Sequence, residues 1–276
     1  MDRLRVAASL AGVPAAPWNA LAAGNPFLRH EFLHALIDSG CASARSGWQP
    51  QFLLLERDGR LAGAMPLFVK THSRGEYVFD WAWAEAYERH GLAYYPKLVC
   101  AVPFTPARGP RLLAADDAAR AALAAAALEA AREFSSLHVL FAPDAEARLL
   151  ESRGMLLRRT VQFHWRNDGY ADFEAFLARL THQRRKNIRQ ERRRVRAAGV
   201  TLRWLEGAQI GEREWAFFHR CYANTYAAHG QRPYLSLEFF LRAGFCRHAC
   251  PKARKNRCDP VRPSICAGSA PCCDAR

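Results

Sequence analysis

The sequence predicts an α/β protein: a mixed sheet with helices on both faces, followed by a second, incomplete α/β unit and a non-globular tail. Three observations carry this. Apolar runs of helical period alternate with short runs of strand period, in the order helix, hairpin, strand, helix, strand, helix, strand. A fresh helix–strand–helix series starts after Asn167, without a hairpin of its own. From Phe245 to Arg276 the composition changes: six of the nine cysteines and four prolines lie there, with only Phe245, Val261 and Ile265 as large apolar residues. Such a segment buries too little apolar surface to offset the entropy of ordering it.

The elements follow in order. Residues 3–8 read as a short strand and Ala15–Ala22 as a helix. NPFLRHEFLHALIDSG places Phe27, Leu28, Phe32, Leu36 and Ile37 on one helical face and stops at Gly40. In QFLLLERDGRLAGAMPLFVK, Asp58-Gly59 between two apolar runs marks a hairpin, because both central residues must tolerate positive φ. The aromatic stretch from Tyr77 to Leu113 reads as a strand at each end of an exposed loop. Asp116 or Asp117 caps an Ala-rich helix that runs to Phe134. LHVLFA reads as a buried strand, Asp144 as the cap of a helix stopped by Gly154, and MLLRRTVQFHWRN as a long strand with alternating faces. In the second unit Asp172 caps one long helix ending at Gly199; VTLRWL is a strand, GEREWAFFHRCYANTYAAHG a helix, and LSLEFFLRAG another. The expected boundaries are 1–167, 168–244 and a disordered tail at 245–276.

The net charge of +14 is concentrated. The tail holds seven basic and two acidic residues, and Phe173–Ala198 holds nine basic and two acidic. The rest is close to balanced, so the positive field is local and calls for a local anionic partner. No apolar run suffices to span a membrane, since AALAAAALEAA is interrupted by Glu129 and flanked by Arg120 and Arg132. Pro14 and Pro17 break the N-terminal apolar stretch, so no signal peptide is expected. Cys41, Cys100 and Cys221 are the only cysteines of the body, which suits a reducing cytoplasm. The tail cysteines fit no common zinc template; Cys246, His248, Cys250 and Cys258 are the nearest approach to one. An unstructured basic tail, translated in a wrong frame, is the simpler reading, and no metal is expected.

Three stretches are candidates for chemistry. HQRRKNIRQERRRVR puts eight cations into fifteen residues on one helix. Like charges at i,i+4 repel, so this face gains little from itself. It is either a solvated face or a phosphate-binding surface led by Arg184, Arg185, Lys186 and Arg189. The stretch Asp80–Lys97 sets Asp80, Glu85, Glu88 and His90 among Trp81, Trp83, Tyr87, Tyr94 and Tyr95. It is either core or the wall of a pocket where a carboxylate serves as general base, with Asp80 and Glu85 the catalytic candidates and Tyr94, Tyr95 and Lys97 lining it. In PFTPARGPRLL, Arg108 and Arg111 precede a helix start, a natural anion site or simply a Pro-rich turn. There is no Walker A loop, no GxGxxG after a strand, no GxSxG and no HExxH.

Taken in order, NPFLRHEFLHAL, GEYVFDWAWAEAYERHGLAYYPKL, PFTPARGPRLL, SSLHVLF, VQFHWRN, RRKNIRQERRRVRAAGV and FFHRCYANTYAAHG resemble the FemAB-like predicted N-acyltransferases, bacterial peptidoglycan biosynthesis/recognition proteins of the GNAT-like superfamily. The resemblance covers nearly all of residues 3–244. It implies two tandem GNAT-like domains, the second incomplete here, and transfer of an acyl or aminoacyl group to an amine. The donor implied is acyl-CoA or aminoacyl-tRNA, and the acceptor a nucleotide- or lipid-linked muropeptide. In related enzymes a basic helix with an Arg-x-x-Ile and an Ala-x-Gly-Val ending opens the second domain, matched here by Arg185, Ile188 and Ala197–Val200. Two departures stand out. Arg108-Gly109-Pro110-Arg111 is not the GNAT pyrophosphate loop. The tail also takes the place of the family's later sheet, which implies a C-terminally truncated or frameshifted chain. Two rival readings stand beside N-acyl transfer: an RNA- or tRNA-binding protein using the basic helix, and a truncated product without activity.

Overall fold

The computed structural model describes residues 2–245 and 265–267 of the chain. It is an α/β structure with mixed sheets, folded as two compact units: Met1–Leu157 with Trp215–Ala253, and Arg158–Glu214 with Arg254–Arg276. The first unit ends short of residue 167 and takes in two helices that follow the second.

In the first unit, β1 (Asp2–Ala7), β3 (Phe52–Arg57), β4 (Arg60–Met65) and β7 (Leu113–Ala114) form an antiparallel sheet in the order β1-β3-β4-β7. A second sheet has the order β2-β5-β6-β8, from β2 (Trp48–Pro50), β5 (Leu67–Lys70), β6 (Lys97–Cys100) and β8 (Leu137–Val139); β8 runs parallel to β6 and the other pairs are antiparallel. The expected single sheet is thus two. Strand period decides where the core lies. Phe52 and Leu54 point into one cluster with Trp18, Leu36, Trp48 and Phe68, while Leu53 and Leu55 point into another with Met65, Leu67, Leu123 and Ala127.

The predicted hairpin is present: Asp58 (φ 50°) and Gly59 (φ 75°) both adopt the left-handed conformation that a primed turn needs between β3 and β4. Around this sheet lie α1 (Ala15–Leu21), α2 (His30–Asp38) and α4 (Asp117–Ala130). Asp116 caps α4 by accepting a hydrogen bond from the Ala119 amide. Leu123 of α4 packs so close to Gly63 of β4 that a Cβ there would meet it at 2.9 Å. α5 (Asp144–Glu151) follows β8, which is half-buried rather than buried as expected. Further on, α8 (Glu212–Ala228) and α9 (Leu237–Phe245) follow; Phe239 and Phe240 of α9 join the core with Trp18 and Trp48.

Two expectations fail within this unit's reach. The stretch from Val78 to Asp80 forms no strand, and the aromatic stretch carries a helix, α3 (Trp81–Arg89). Trp81, Trp83 and Tyr87 fit strand propensity, but Ala82, Ala84, Glu85, Ala86 and Glu88 between them are helix formers. The strand expected at MLLRRTVQFHWRN does not form, although the alternation is there: residues 155–170 carry no strand, turn or bend.

The second unit, taken by itself, contains α6 (Phe173–Ala178), α7 (His182–Ala197) and a two-stranded sheet of β9 (Arg203–Leu205) with β10 (Ile265–Ala267), antiparallel. The single long helix expected from Asp172 to Gly199 is broken at Arg179–Thr181. Asp172 caps the first piece through the Ala175 amide, and Thr181 caps the second through the Arg184 amide at 3.4 Å. Gly199 (φ 71°) ends α7 as predicted. Apart from β10, the expectations for the tail, including Cys246, His248, Cys250 and Cys258, fall outside the described residues.

Candidate functional site

Two sites emerge, one in each unit. The first begins with a conflict. Lys70 at the end of β5 and Lys97 at the start of β6 lie directly opposite each other in the antiparallel register. Like charges so placed repel, and both side chains are fully buried. The loop between β5 and α3 resolves this by folding back two buried acids, Glu76 and Asp80. Lys97 Nζ donates to Glu76 Oε2 at 3.0 Å, to Ser73 Oγ at 2.9 Å and, by a short contact, to Asp80 Oδ2, so its three protons are all placed. Ser73 in turn donates to Asp80 Oδ2 at 3.0 Å and stands 2.7 Å from the Tyr95 hydroxyl. Tyr94 donates to the same Asp80 oxygen at 2.7 Å; its hydroxyl lies 3.5 Å from His138 Nε2, which Ser136 also meets at 3.0 Å. Lys70 donates to the Arg74 carbonyl at 3.2 Å and sits over the Trp48 ring, 3.9 Å from its centre.

This geometry sets the charge states. Burial acts to raise Asp80, but the hydrogen bonds from Lys97 and Tyr94 outweigh it and hold the carboxyl below the usual range. Burial raises Glu76. Burial also pushes the Tyr94 hydroxyl up, and its bond to Asp80 adds to that. Burial, with Glu76 acting against it and the charge of Lys97 adding to it, brings Lys70 down to about 7. Asp80 Oδ1 and Glu76 Oε1, both buried, accept no hydrogen bond among the described residues.

Lys70 makes the fold sensitive to alkali in a definite direction. Its folded pKa is below its unfolded one, so between about pH 7 and its ordinary value near 10.5 the unfolded chain holds more protons. Stability therefore rises with pH through that window. Thermal melts from pH 7 to 9 are expected to show a rise in Tm for the natural chain relative to Lys70→Met. Parallel curves for the two proteins would refute this account of Lys70.

Of the residues singled out from sequence, Asp80, Tyr94, Tyr95 and Lys97 meet in this cluster. Glu85 does not: it is exposed on α3. Arg108 is exposed and pairs with Asp144 at 2.6 Å. Arg111 is buried, and its guanidinium donates to four backbone carbonyls: Leu140 at 2.7 Å, Gly109 at 2.9 Å, Pro110 at 3.1 Å and Ala107 at 2.6 Å. Its donors are thus turned onto the chain itself. Sequence reading missed Lys70, Ser73, Glu76 and His138. The available signal was a lysine closing one apolar strand and another opening the next, which a hairpin-like pairing would set face to face.

The second site is the basic face of the α6–α7 unit. Its groove, about 420 Å³, is lined by Phe173, Glu174, His182, Arg185, Lys186, Arg189, Arg192, Arg193 and Arg196. Arg189 pairs with Glu174 at 2.5 Å, and Arg192 stacks over the Phe173 ring at 4.1 Å. Both contacts fix guanidinium groups at the groove wall. Arg185 is turned away from this role in part, donating to the Ala178 and Leu180 carbonyls at 3.2 and 3.1 Å, where it closes the end of α6. Arg184, exposed, is outside the groove lining. The arrangement suits a ligand carrying several negative charges. Among the described residues no cluster of three or more His, Cys, Asp or Glu is disposed to hold a metal, and no helix is long and apolar enough to cross a membrane.

The chain is thus an α/β protein with a buried lysine–carboxylate cluster in one unit and an arginine-lined groove in the other. The chain belongs to the FemAB-like family: the family model described as peptidoglycan biosynthesis/recognition matches residues 9–248. No curated protein and no solved structure gives a match.

Proposed function

We propose that the chain is an N-acyltransferase of peptidoglycan biosynthesis, which joins an activated acyl or aminoacyl group to an amine of a cell-wall precursor. The observation that supports this most is the arginine-lined groove of α7 in a chain of this family. Both substrate types available to such a reaction, nucleotide-linked precursors and tRNA or coenzyme esters, carry phosphates for it to hold. The amine nitrogen attacks the acyl carbonyl carbon, the bond to the leaving oxygen or sulfur breaks, and the proton lost by the amine ends on that leaving atom. No covalent enzyme intermediate is needed, so positioning and charge stabilisation supply the rate.

Asp80 is the site's carboxylate in this reading: held ionised, it is a weak base but a strong hydrogen-bond acceptor, and its Oδ1 has no partner among the described residues. Residues 108–111 offer little to a donor's phosphates, since Arg111 is committed to backbone carbonyls and Arg108 to Asp144, whereas α7 within its own unit presents an arginine-lined groove. That favours aminoacyl-tRNA over acyl-CoA. The groove's arginines, with Phe173 among them, equally suit RNA binding without chemistry, the second reading.

Three variants separate them. Asp80→Asn is expected to lower transfer from aminoacyl-tRNA to a nucleotide-linked muropeptide about 100-fold, while tRNA binding is unchanged. Glu85→Gln leaves both intact. Lys186→Glu with Arg189→Glu weakens tRNA binding and flattens its salt dependence by roughly two charges. Binding without transfer in the natural chain, with either donor, leaves only the RNA-binding reading.

A further inference from the structure

The lysine–carboxylate cluster is closed to solvent: Ser73 is 5% exposed, Glu76 2%, Asp80 1% and Lys97 0%. Its cover is residues 71–80, the loop that itself supplies Ser73, Glu76 and Asp80. A ligand therefore meets Asp80 only when this loop lifts. The middle of the loop is held down by backbone bonds and rings. Trp48 Nε1 and Lys70 Nζ both donate to the Arg74 carbonyl at 3.2 Å. The Phe104 amide donates to the Gly75 carbonyl at 3.2 Å, and the Phe104 ring lies so close to Gly75 (φ 79°) that a Cβ there would meet it at 2.6 Å. Phe104 (φ 58°) and Tyr77 (φ 57°) are both left-handed, a conformation that bulky residues keep only where their surroundings impose it. For Phe104 the cause is its ring contacts: it stacks on Tyr234, centres 4.9 Å apart at 17°, and stands edge-on to Trp48 at 5.6 Å. The Tyr234 hydroxyl also accepts from the Gly75 amide. The Tyr77 hydroxyl is bonded to that of Tyr226, whose ring stands edge-on to Tyr234 at 5.7 Å.

We propose that Tyr234 is a positioning residue for the Lys97 cluster, the latch of a strap formed by residues 71–80. It acts through Phe104. Tyr234 holds the Phe104 ring on Gly75, the ring and the Phe104 amide fix the bend at Gly75, and the bend delivers Glu76 and Asp80 to Lys97. Gly75 is the corner, because a glycine takes positive φ without strain and leaves room for the ring. The two left-handed aromatic residues are a load on the closed strap that is relieved when the latch lets go. Opening therefore costs less than breaking the buried ion pairs alone. Tyr234 stands between α8 and α9, so a cluster built from residues 73–97 is completed by one far along the chain. The role is one of access and alignment, and it stands whichever reaction the cluster serves.

The test is the rate at which an N-hydroxysuccinimide acetate modifies Lys97 in the full chain, read by mass spectrometry against the exposed Lys186 as internal standard. Tyr234→Ala removes the stack and the hydroxyl together and is expected to raise the Lys97 rate at least about 10-fold. Tyr234→Phe keeps the stack and is expected to stay within about 3-fold of the natural chain. Gly75→Ala drives a Cβ into the Phe104 ring and opens the strap with Tyr234 in place. Both changes act through Phe104, so adding Tyr234→Ala to Gly75→Ala is expected to raise the rate by less than about 2-fold more. Amide exchange at Leu53–Leu55, buried in the same unit, stays slow in every variant. Three results overturn the proposal: Lys97 labelled alike in Tyr234→Ala and the natural chain; single effects that multiply in full in the double variant; or exchange at Leu53–Leu55 that quickens along with the labelling, which makes Tyr234 a packing residue.

Discussion

Replacing Lys97 by methionine is expected to lower the melting temperature by about 10 °C. The loss is of charge balance, not of volume. Methionine fills nearly the same space, but Glu76 and Asp80 are left buried with no cation bonded to them, and Ser73 Oγ loses a donor. Removing one partner of a buried ion pair destabilises by ~3–5 kcal/mol, and each kcal/mol shifts a domain of this size by roughly 2–4 °C. Lys70 does not take over, since it has no hydrogen bond to either acid and titrates near 7. Adding Glu76→Gln and Asp80→Asn to Lys97→Met should return much of the loss, because neutral amides need no counterion. Differential scanning calorimetry checks both. A drop of under about 2 °C for the single variant, or no recovery in the triple, would mean that packing rather than charge accounts for the cluster.

The second large effect lies at Arg111, where Arg111→Met is expected to destabilise by ~3–5 kcal/mol, the sum of several carbonyls left without donors at ~1–3 kcal/mol each. One guanidinium closes the turn from Ala107 to Pro110 and ties it to Leu140, while the buried Glu146 carboxylate accepts from the Arg111 and Leu112 amides at 2.8 and 3.2 Å. Burial raises the Glu146 pKa, and the neighbouring arginine opposes that rise; its loss therefore also favours a protonated Glu146. Arg111→Lys is expected to restore little, because an ammonium cannot reach carbonyls spread around a planar fork. Hydrogen exchange at Gly109–Leu112 should accelerate in both variants. Unchanged exchange in either one would show that the turn is held by its prolines and not by the arginine.

Local signals in this sequence were readable because they act within a few residues. Asp58-Gly59 has only one turn to make, Asp116 reaches an amide three residues on, and Gly199 stops α7 wherever that helix lies. The aromatic block was legible as a site but not as a structure: Asp80, Tyr94, Tyr95 and Lys97 come together, yet by way of a helix in place of a loop. What escaped reading depends on pairing between distant residues. Lys70, Ser73 and Glu76 look like the end of a strand and a polar loop until β5 and β6 align and set Lys70 against Lys97. Arg111 looks like an anion ligand until the chain curls its carbonyls around it. The stripe of Val161, Phe163 and Trp165 has strand period, yet it forms no strand, since period alone does not supply a ladder.

The place of α9 in the first unit has a consequence for synthesis on the ribosome. Phe239 and Phe240 complete a core whose other walls are Trp18, Leu36 and Trp48, and Ser236 bonds to Cys41 through its amide at 3.3 Å. The stretch Arg158–Glu214, which belongs to the other unit, is translated in between. At roughly 5–20 residues per second, the early strands and helices wait several seconds with that wall open. A nascent chain arrested before Ser236 is thus committed to hold apolar surface that only later residues can cover, and it is at that stage, rather than after release, that holding chaperones have most to bind.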